Sequence, residues 1–496
     1  QRALRVHENL TISSRVVALN GFFKNRIGLT VLHYPDVAGI PFEVVNTEGE
    51  VVRGAFPEWP APHQPAKDIS SLSWQDGDLK ARVQFTGDVF EMEDHRNWTD
   101  ASFKTYGTPL DEPFPLLVRE GEVFEQSVTL ACEITWSPPT SSAPAVPTLV
   151  ATGSKSPDIA LSLSSAPGDE QPQRKKDPLV LVELDLSAPN WMKVLERAAA
   201  NAHELDVRLI ASHVDQVEVF FAEHGQTPLR RIGVFDATSH VTEPNLWEAL
   251  NREIGTRQLM VERVAGTRGH FTELNRTAGR MPQDADSITF SVTPQMHSDT
   301  TEQIIESIPM QGLVARAAMR LFPGKKLHVG PITLRPRFNA VATTPAHQER
   351  PDLLDGFGPA LVNNSTDSRQ GTTGLASWVV ASYGELLAAD VSSVTFFEQW
   401  GPRGICDVDG ALFPVGHPIK LLSGVSHLPT LYATGLPIGV SVFGHRDPEG
   451  VVVWASNLTP ADVLVPIRII DERTTLHVPA MGWSATRNGE PLDTGQ

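Results

Sequence analysis

Two glutamates have the surroundings that acid/base chemistry needs. Glu273 and Glu398 sit in short strings of aromatic and amide residues, His270-Phe271-Thr272-Glu273-Leu274-Asn275 and Phe396-Phe397-Glu398-Gln399. A carboxyl group among aromatic rings is partly desolvated, and desolvation raises its pKa toward the range useful for proton transfer. The amides of Asn275 and Gln399 are placed to orient a carboxylate or to hold a sugar hydroxyl. Further polar residues close apolar runs: Asp185, Asp236, His297 and Arg335. Two carboxyls plus an Arg or His donor suffice to open an ester ring. One carboxylate deprotonates water, the donor faces the oxyanion, and the other carboxyl protonates the departing alkoxide. In that scheme Glu273 and Glu398 share the roles of base and acid, with His297 or Arg335 at the oxyanion. Other routes lack their motifs. There is no GxSxG elbow, no HExxH, and the 16 histidines are scattered, so neither a serine nucleophile nor a metal or cofactor is expected.

A second stretch, Phe90 to Tyr106 (FEMEDHRNWTDASFKTY), is too charged for a core strand and too aromatic for a linker. Asp94, Arg96 and Asp100 are its candidates for substrate contact or buried ion pairing. Trp98 is expected to be buried.

These side chains need a scaffold. From Arg5 to about Trp136 the chain alternates short extended runs with Gly, Pro, Asp and Asn turns, a β-sandwich pattern. Pro/Ser-rich and charged segments, 138–147 and 164–178, read as linkers, with a short apolar run at Ile159 to Leu163 between them that is one more candidate strand. Beyond Pro178 the pattern becomes strand, helix, strand. Leu179 to Leu186, Val207 to Ala211, Ile232 to Phe235, Leu259 to Val264, Phe271 to Glu273, Ile288 to Val292, Leu327 to Ile332 and Val394 to Phe397 read as buried strands, with helices between them. That alternation fits a (β/α)₈ barrel of roughly 250 residues, whose chemistry sits at the carboxyl ends of its strands. Val264 to Phe271 is short for a parallel crossover, so Leu259 to Glu273 also reads as one bulged strand. No GxGxxG follows a strand to suggest dinucleotide binding. The expected layout is a β-sandwich over residues 1–177, a TIM-like barrel over 178–433 and a small C-terminal β-domain over 434–496.

Composition narrows the partners. Of 496 residues, 41 are basic and 59 acidic, a net charge of −18, which disfavours phosphate backbones and anionic membranes. Only 2 cysteines, Cys132 and Cys406, occur, far apart and outside any CxxC pattern. They fit a reducing compartment, and with no signal pattern in QRALRVHENL the expected address is the cytoplasm. A small carbohydrate substrate and a homo-oligomer are the expected partners.

The string EMED-x-RNWTDASFKTY resembles a signature of the D-apionate lactonase family. FKNRIGLTVLHYP (from Phe23), PFPLLV (from Pro113), GHFTELNR (from Gly269), SVTPQMHS (from Ser291) and FFEQWGPRGI (from Phe396) resemble further family segments, so the likeness spans most of the chain. The resemblance implies a hydrolase opening D-apionolactone or a close relative in sugar-acid catabolism. Substrate hydroxyls would then be held by Asp185, Asp236 and Asn275, with side chains from the Phe90 to Tyr106 stretch. The arrangement also resembles retaining glycosidases built on a (β/α)₈ barrel, with Glu273 as acid/base and Glu398 as nucleophile. Those enzymes usually have Asn immediately before the acid/base, where this chain has Thr272. A carbohydrate-binding protein is the third reading, and the two glutamates argue against it.

Overall fold

The computed structural model describes residues 4–136, 146–167, 172, 174–224, 227–338, 340, 356–362, 364–469 and 472–492. Much of the 138–147 linker lies outside them. Two compact units emerge: residues 1–97 with 101–144, and residues 98–100 with 145–496.

The N-terminal unit is β-rich. The strands expected to form a sandwich are hydrogen-bonded into one nine-stranded sheet, with a separate two-stranded ribbon pairing Phe22–Lys24 with Leu116–Val118. Ala66–Asp76 pairs with Leu79–Thr86, with Pro41–Asn46 and, at its Ala66–Ile69 end, with Phe90–Asp94, the register being irregular against the last two. Alternating residues Phe42, Leu72, Val83, Phe90 and Phe103 face a shared core with Phe56.

The second unit is built on a closed barrel of eight parallel strands: β1 (Asp158–Ser162), β2 (Asp177–Asp185), β3 (Ala202–Ala211), β4 (Leu229–Asp236), β5 (Glu262–Gly266), β6 (Ser287–Val292), β7 (Lys326–Ile332) and β8 (Ser393–Glu398). β6 and β8 are buried at every position, as strands covered on both faces must be. Covering helices include α1 (Trp191–Asn201), α2 (Val214–Glu223), α3 (Pro244–Arg257), α4 (Phe271–Thr277), α5 (Thr301–Leu321), α6 (Thr373–Ala388) and α7 (Gly416–Ser423). α1 and α3 each bury one apolar stripe, whereas α6 is apolar nearly all round. It lies between the barrel and the C-terminal sheet, where Ser377 donates to the Gly482 carbonyl at 2.7 Å. No helix among the described residues is long and apolar enough to cross a membrane.

Two readings change here. The first barrel strand is the Ile159 to Leu163 run, so the barrel begins before residue 178. Thr148–Lys155 pairs with Pro429–Ala433 and with Val463–Ile469, so the C-terminal eight-stranded sheet draws strands from both sides of the barrel. A short apolar run shows that a strand forms, not which sheet receives it. Secondly, Phe271 to Glu273 is the first turn of α4, not a strand. Its buried residues, Phe271, Thr272, Leu274 and Asn275, recur at helical spacing. The short-crossover problem disappears with it.

Candidate active site

At the carboxyl end of β8, Glu398 is brought inward by an irregular pairing. Ala160 faces Thr395 but Ser162 faces Glu398, so one extra residue bulges from β8, and Phe397 takes a φ of +48°. The buried Glu398 carboxylate accepts from the Ser165 hydroxyl at 2.7 Å, the Ser165 amide at 3.1 Å and Arg403 Nε at 3.0 Å. Arg403 also donates to the Ser165 hydroxyl and to Ser365 Oγ.

Beside it, β2 contributes Glu183. Its carboxylate accepts from Arg268 Nη2 at 3.1 Å and from Arg337. Burial alone would raise this carboxyl, but Arg268 and Arg337 outweigh it and hold the group at about 2. Arg337 is itself buried and donates to the Arg268 carbonyl at 2.5 Å. Burial lowers its pKa, while the charges of Glu183 and Glu398 act to raise it. Arg268 stacks over the Phe338 ring at 4.3 Å, and the His240 ring meets the same phenyl group at 4.5 Å. Burial and the Arg268 charge bring His240 down to about 4, so its imidazole is neutral at pH 7. The loop carrying Arg268 leaves β5 at Gly266, whose φ is +132°; a Cβ there would lie 2.2 Å from the Thr289 carbonyl oxygen.

Two clefts open on this cluster. One is lined by Ser165, Glu183, Thr333, Arg337, Phe357 and Glu398. The other, about 510 Å³, shares Glu183 and Phe357 and adds Asp185, Asn190, Trp191 and Arg268. A larger depression, about 1340 Å³, lies on the N-terminal sheet. Its Arg53–Glu43 pair is 79% and 49% exposed, so these charges stay hydrated. The barrel mouth is the better candidate for chemistry.

The expected site residues divide. Glu398 stands at the end of the last strand, as read. Glu273 occupies the third position of α4, where its carboxylate accepts the His270 amide at 2.7 Å, and it lines neither cleft at the mouth. Burial raises it to about 7 against these backbone hydrogen bonds. His270 is buried with both ring nitrogens lacking a hydrogen-bond partner among the described residues, and burial lowers it to about 3. Asn275 is buried on the same helix.

Asp185 and Asp236 each hold a turn through one carboxylate oxygen, and Asp185 also lines the second cleft. Asp185 accepts from the amide and hydroxyl of Ser187, and Asp236 from the amides of Thr238 and Ser239, so each closes a turn. Arg335 pairs with Asp367 at 3.2 Å and Asp299 at 3.6 Å. Gln399 points elsewhere: fully buried, it donates to Asp177 and to the Asn201 carbonyl, at the start of β2 and just before β3.

His297 follows β6, with Nδ1 2.6 Å from Asp100 Oδ2 and its ring edge-on to Trp98 at 5.5 Å. Gln303 donates to the other Asp100 oxygen, and Arg276 lies over the Trp98 ring at 5.3 Å. Residues 98–100 thus belong to the barrel unit. Arg96 and Asp94 belong to the N-terminal unit and form a buried bidentate pair, 2.8 and 2.7 Å, with Arg96 also over the Phe103 ring at 4.2 Å. Both groups are occupied by internal partners, a structural role rather than substrate contact.

Sequence reasoning missed Glu183, Arg268, Arg337, Arg403 and Ser165. The signal for Glu183 was present, because it is the one charge inside the apolar run Leu179 to Leu184. Arg337 and Arg268 gave none, since each lies in a loop with no periodicity.

A closed eight-stranded parallel barrel with a charged cleft at its carboxyl end defines a TIM-barrel protein with an enzyme-type site. Family models for the N-terminal domain of D-apionate lactonase and for its TIM-barrel domain match residues 2–135 and 170–427. The chain belongs to the D-apionate lactonase family. It is 24% identical over 472 residues to a D-apionate lactonase of Brucella anthropi, covering 84% of this chain and 73% of that one. Among solved structures it is similar to a GH30 endoxylanase from Clostridium papyrosolvens C71, at 9% identity and a TM-score of 0.42 over 69% of this chain and 99% of that one. A family 39 glycoside hydrolase from Bacteroides cellulosilyticus WH2 is similar at 9% identity and a TM-score of 0.41, covering 94% and 97%.

Proposed function

We propose that the barrel mouth hydrolyses a sugar-acid lactone, D-apionolactone or a close relative, giving the open hydroxy acid. The observation that carries this reading is the cleft in which Glu398 and Arg337 face one space, supported by family membership. Water bound against Glu398 loses a proton to the carboxylate as its oxygen bonds to the ring carbonyl carbon. The carbonyl oxygen becomes an oxyanion facing the Arg337 guanidinium. As the ring C–O bond breaks, the proton on Glu398 passes to the departing alkoxide, which restores the carboxylate. Glu183 does not exchange protons; held ionised by Arg268 and Arg337, it fixes Arg337 in place. The three guanidiniums at this mouth also suit a product that leaves as an anion.

Retaining glycosidase chemistry asks for two carboxyls about 5–5.5 Å apart flanking one bond. Glu273 sits in a helix turn outside both clefts, and Glu183, the other carboxyl beside Glu398, is held ionised by Arg268 and Arg337 and so does not suit the acid role, which favours the lactone reading. Incubation with a panel of aldonolactones and, separately, nitrophenyl glycosides separates the two. Acid release from lactones alone is expected; nitrophenol release would replace this reading with the glycosidase.

A further inference from the structure

The strand Leu4–Val17 ends the nine-stranded sheet. One of its sides pairs with Val123–Trp136 in a continuous antiparallel register, and among the described residues no strand pairs with the other. Both faces are in water as well. Glu8 to Ser13 are all exposed, Leu10 at 57% and Ile12 at 53%. Natural sheets blunt a long edge with proline, lysine or a bulge. This strand, LRVHENLTISSRVV, has none of the three.

The direction of its free groups follows from the pairing. Ala18 donates its amide to the Glu122 carbonyl at 2.9 Å, so even-numbered residues bond inward and odd-numbered residues turn N–H and C=O outward. Side-chain contacts agree. Thr11 meets Thr129 at 3.0 Å, Ser13 meets Ser127 at 3.1 Å and Arg15 meets Glu125 at 2.7 Å, the close approaches of positions that do not exchange backbone hydrogen bonds. His7, Asn9, Thr11, Ser13 and Arg15 therefore present an unbroken row of donors and acceptors.

We propose that this edge pairs with the same edge of a second copy, antiparallel about a two-fold axis at Thr11. A two-fold axis normal to the sheet requires paired positions of equal parity, because facing residues share a face. Centring on Thr11 puts Leu10 opposite Ile12 twice, Glu8 opposite Ser14, and Asn9 opposite Ser13 in the hydrogen-bonded row. Centring on Leu10 instead opposes Glu8 to Ile12. Centring on Ile12 opposes Glu8 to Val16 and Leu10 to Ser14. The last two also set Leu10 or Ile12 against itself, but of the three only the Thr11 register leaves neither Leu10 nor Ile12 opposite a polar side chain, and Arg15, opposite His7, already pairs with Glu125 of its own chain.

Sedimentation or light scattering of the full chain at tens of micromolar tests this. Twice the chain mass is expected, and a monomer would overturn it. Thr11→Pro removes an outward N–H that the chain's own sheet does not use, so it should give the single-chain mass in a chain that still melts cooperatively. A dimer persisting in that variant would overturn this edge in favour of another surface. The register is read by crosslinking. A mixture of Leu10→Cys and Ile12→Cys chains should form a dimer band that reductant removes, well above that of either variant alone. Equal bands in all three samples would contradict the Thr11 axis.

Discussion

At the floor of the barrel, Asp206 and Arg208 from β3, Arg231 from β4, Glu262 from β5, His328 from β7 and Ser393 from β8 make a charged network much like that at the mouth. Arg208 grips Asp206 with two hydrogen bonds of 2.6 and 2.8 Å. Arg231 reaches across to Ser393 at 3.0 Å, and His328 bridges Ser393 at 2.7 Å and Glu262 at 2.5 Å. Serine, histidine and glutamate stand in line there, the geometry of a nucleophilic triad. Asp206, Arg208, His328 and Ser393 are all buried, and so are Arg337 and Glu398, but these last two border a cleft together with Glu183. Residue type alone does not separate a site from a strut; access to substrate does. In a (β/α)₈ barrel the carboxyl end carries chemistry and the opposite end carries stability.

The largest effect expected, after that of Glu398 itself, is on turnover in Arg337→Ala. Loss of a preorganised donor at the oxyanion lowers kcat by about 10²–10³, while Arg268 still pairs with Glu183 and the melting temperature falls by only a few degrees. A change confined to KM would remove Arg337 from the reacting centre. At the floor the pattern reverses. Asp206→Ala leaves two buried guanidiniums without their carboxylate and costs about 3–5 kcal/mol of stability, read by denaturant unfolding, with kcat per folded molecule unchanged. Acid acts on the same network. Burial holds His328 at about 4, below its ordinary 6.5, so the unfolded chain binds the extra proton. The stability His328 supplies is complete above about pH 6.5 and lost as pH falls through about 4, a fall that a His328→Gln variant should lack.

Glu273 gives a smaller effect of opposite sign. Burial raises its carboxyl from 4.5 to about 7, so the folded state favours its protonated form. Stability is then full below about pH 4.5 and declines as pH rises through 7. Glu273→Gln should gain on the parent by about 2 kcal/mol between pH 5 and 8, by melting curves at both. Equal gains at the two pH values would contradict the burial. Least of all, Asp185→Asn should shift stability by under about 1 kcal/mol, because it disturbs only hydrogen bonds to Ser187 at an exposed turn.

The sequence was legible where periodicity carries information. Alternating apolar runs and helix-spaced segments beyond residue 178 gave most of the barrel, and the position of Glu398 at a strand end followed from the run before it. Its limits are physical as well. Ile159 to Leu163 read as a strand, but strand propensity does not say whether a run closes a barrel or joins a neighbouring sheet. Phe271-Thr272-Glu273 has strand-like residues, and the helix won because Glu273 caps the His270 amide while its buried residues fall on one helical face. Asp185 and Asp236 looked like ligands at strand ends, although Asp-Leu-Ser and Asp-Ala-Thr-Ser are equally turn-closing patterns. Arg268, Arg337 and Arg403 lie in loops, and only the fold brings them to the same two carboxylates.

Glu398 is the proton-transfer group of the proposed reaction, and Glu398→Gln tests that role most directly. The substituted amide would keep the shape of the side chain and hydrogen bonding to Ser165 while removing the base. Acid release from D-apionolactone should fall by about 10³-fold or more, with the melting temperature within a few degrees of the parent. Turnover at the parental rate in a folded Glu398→Gln protein would contradict the account and move the chemistry away from this cleft.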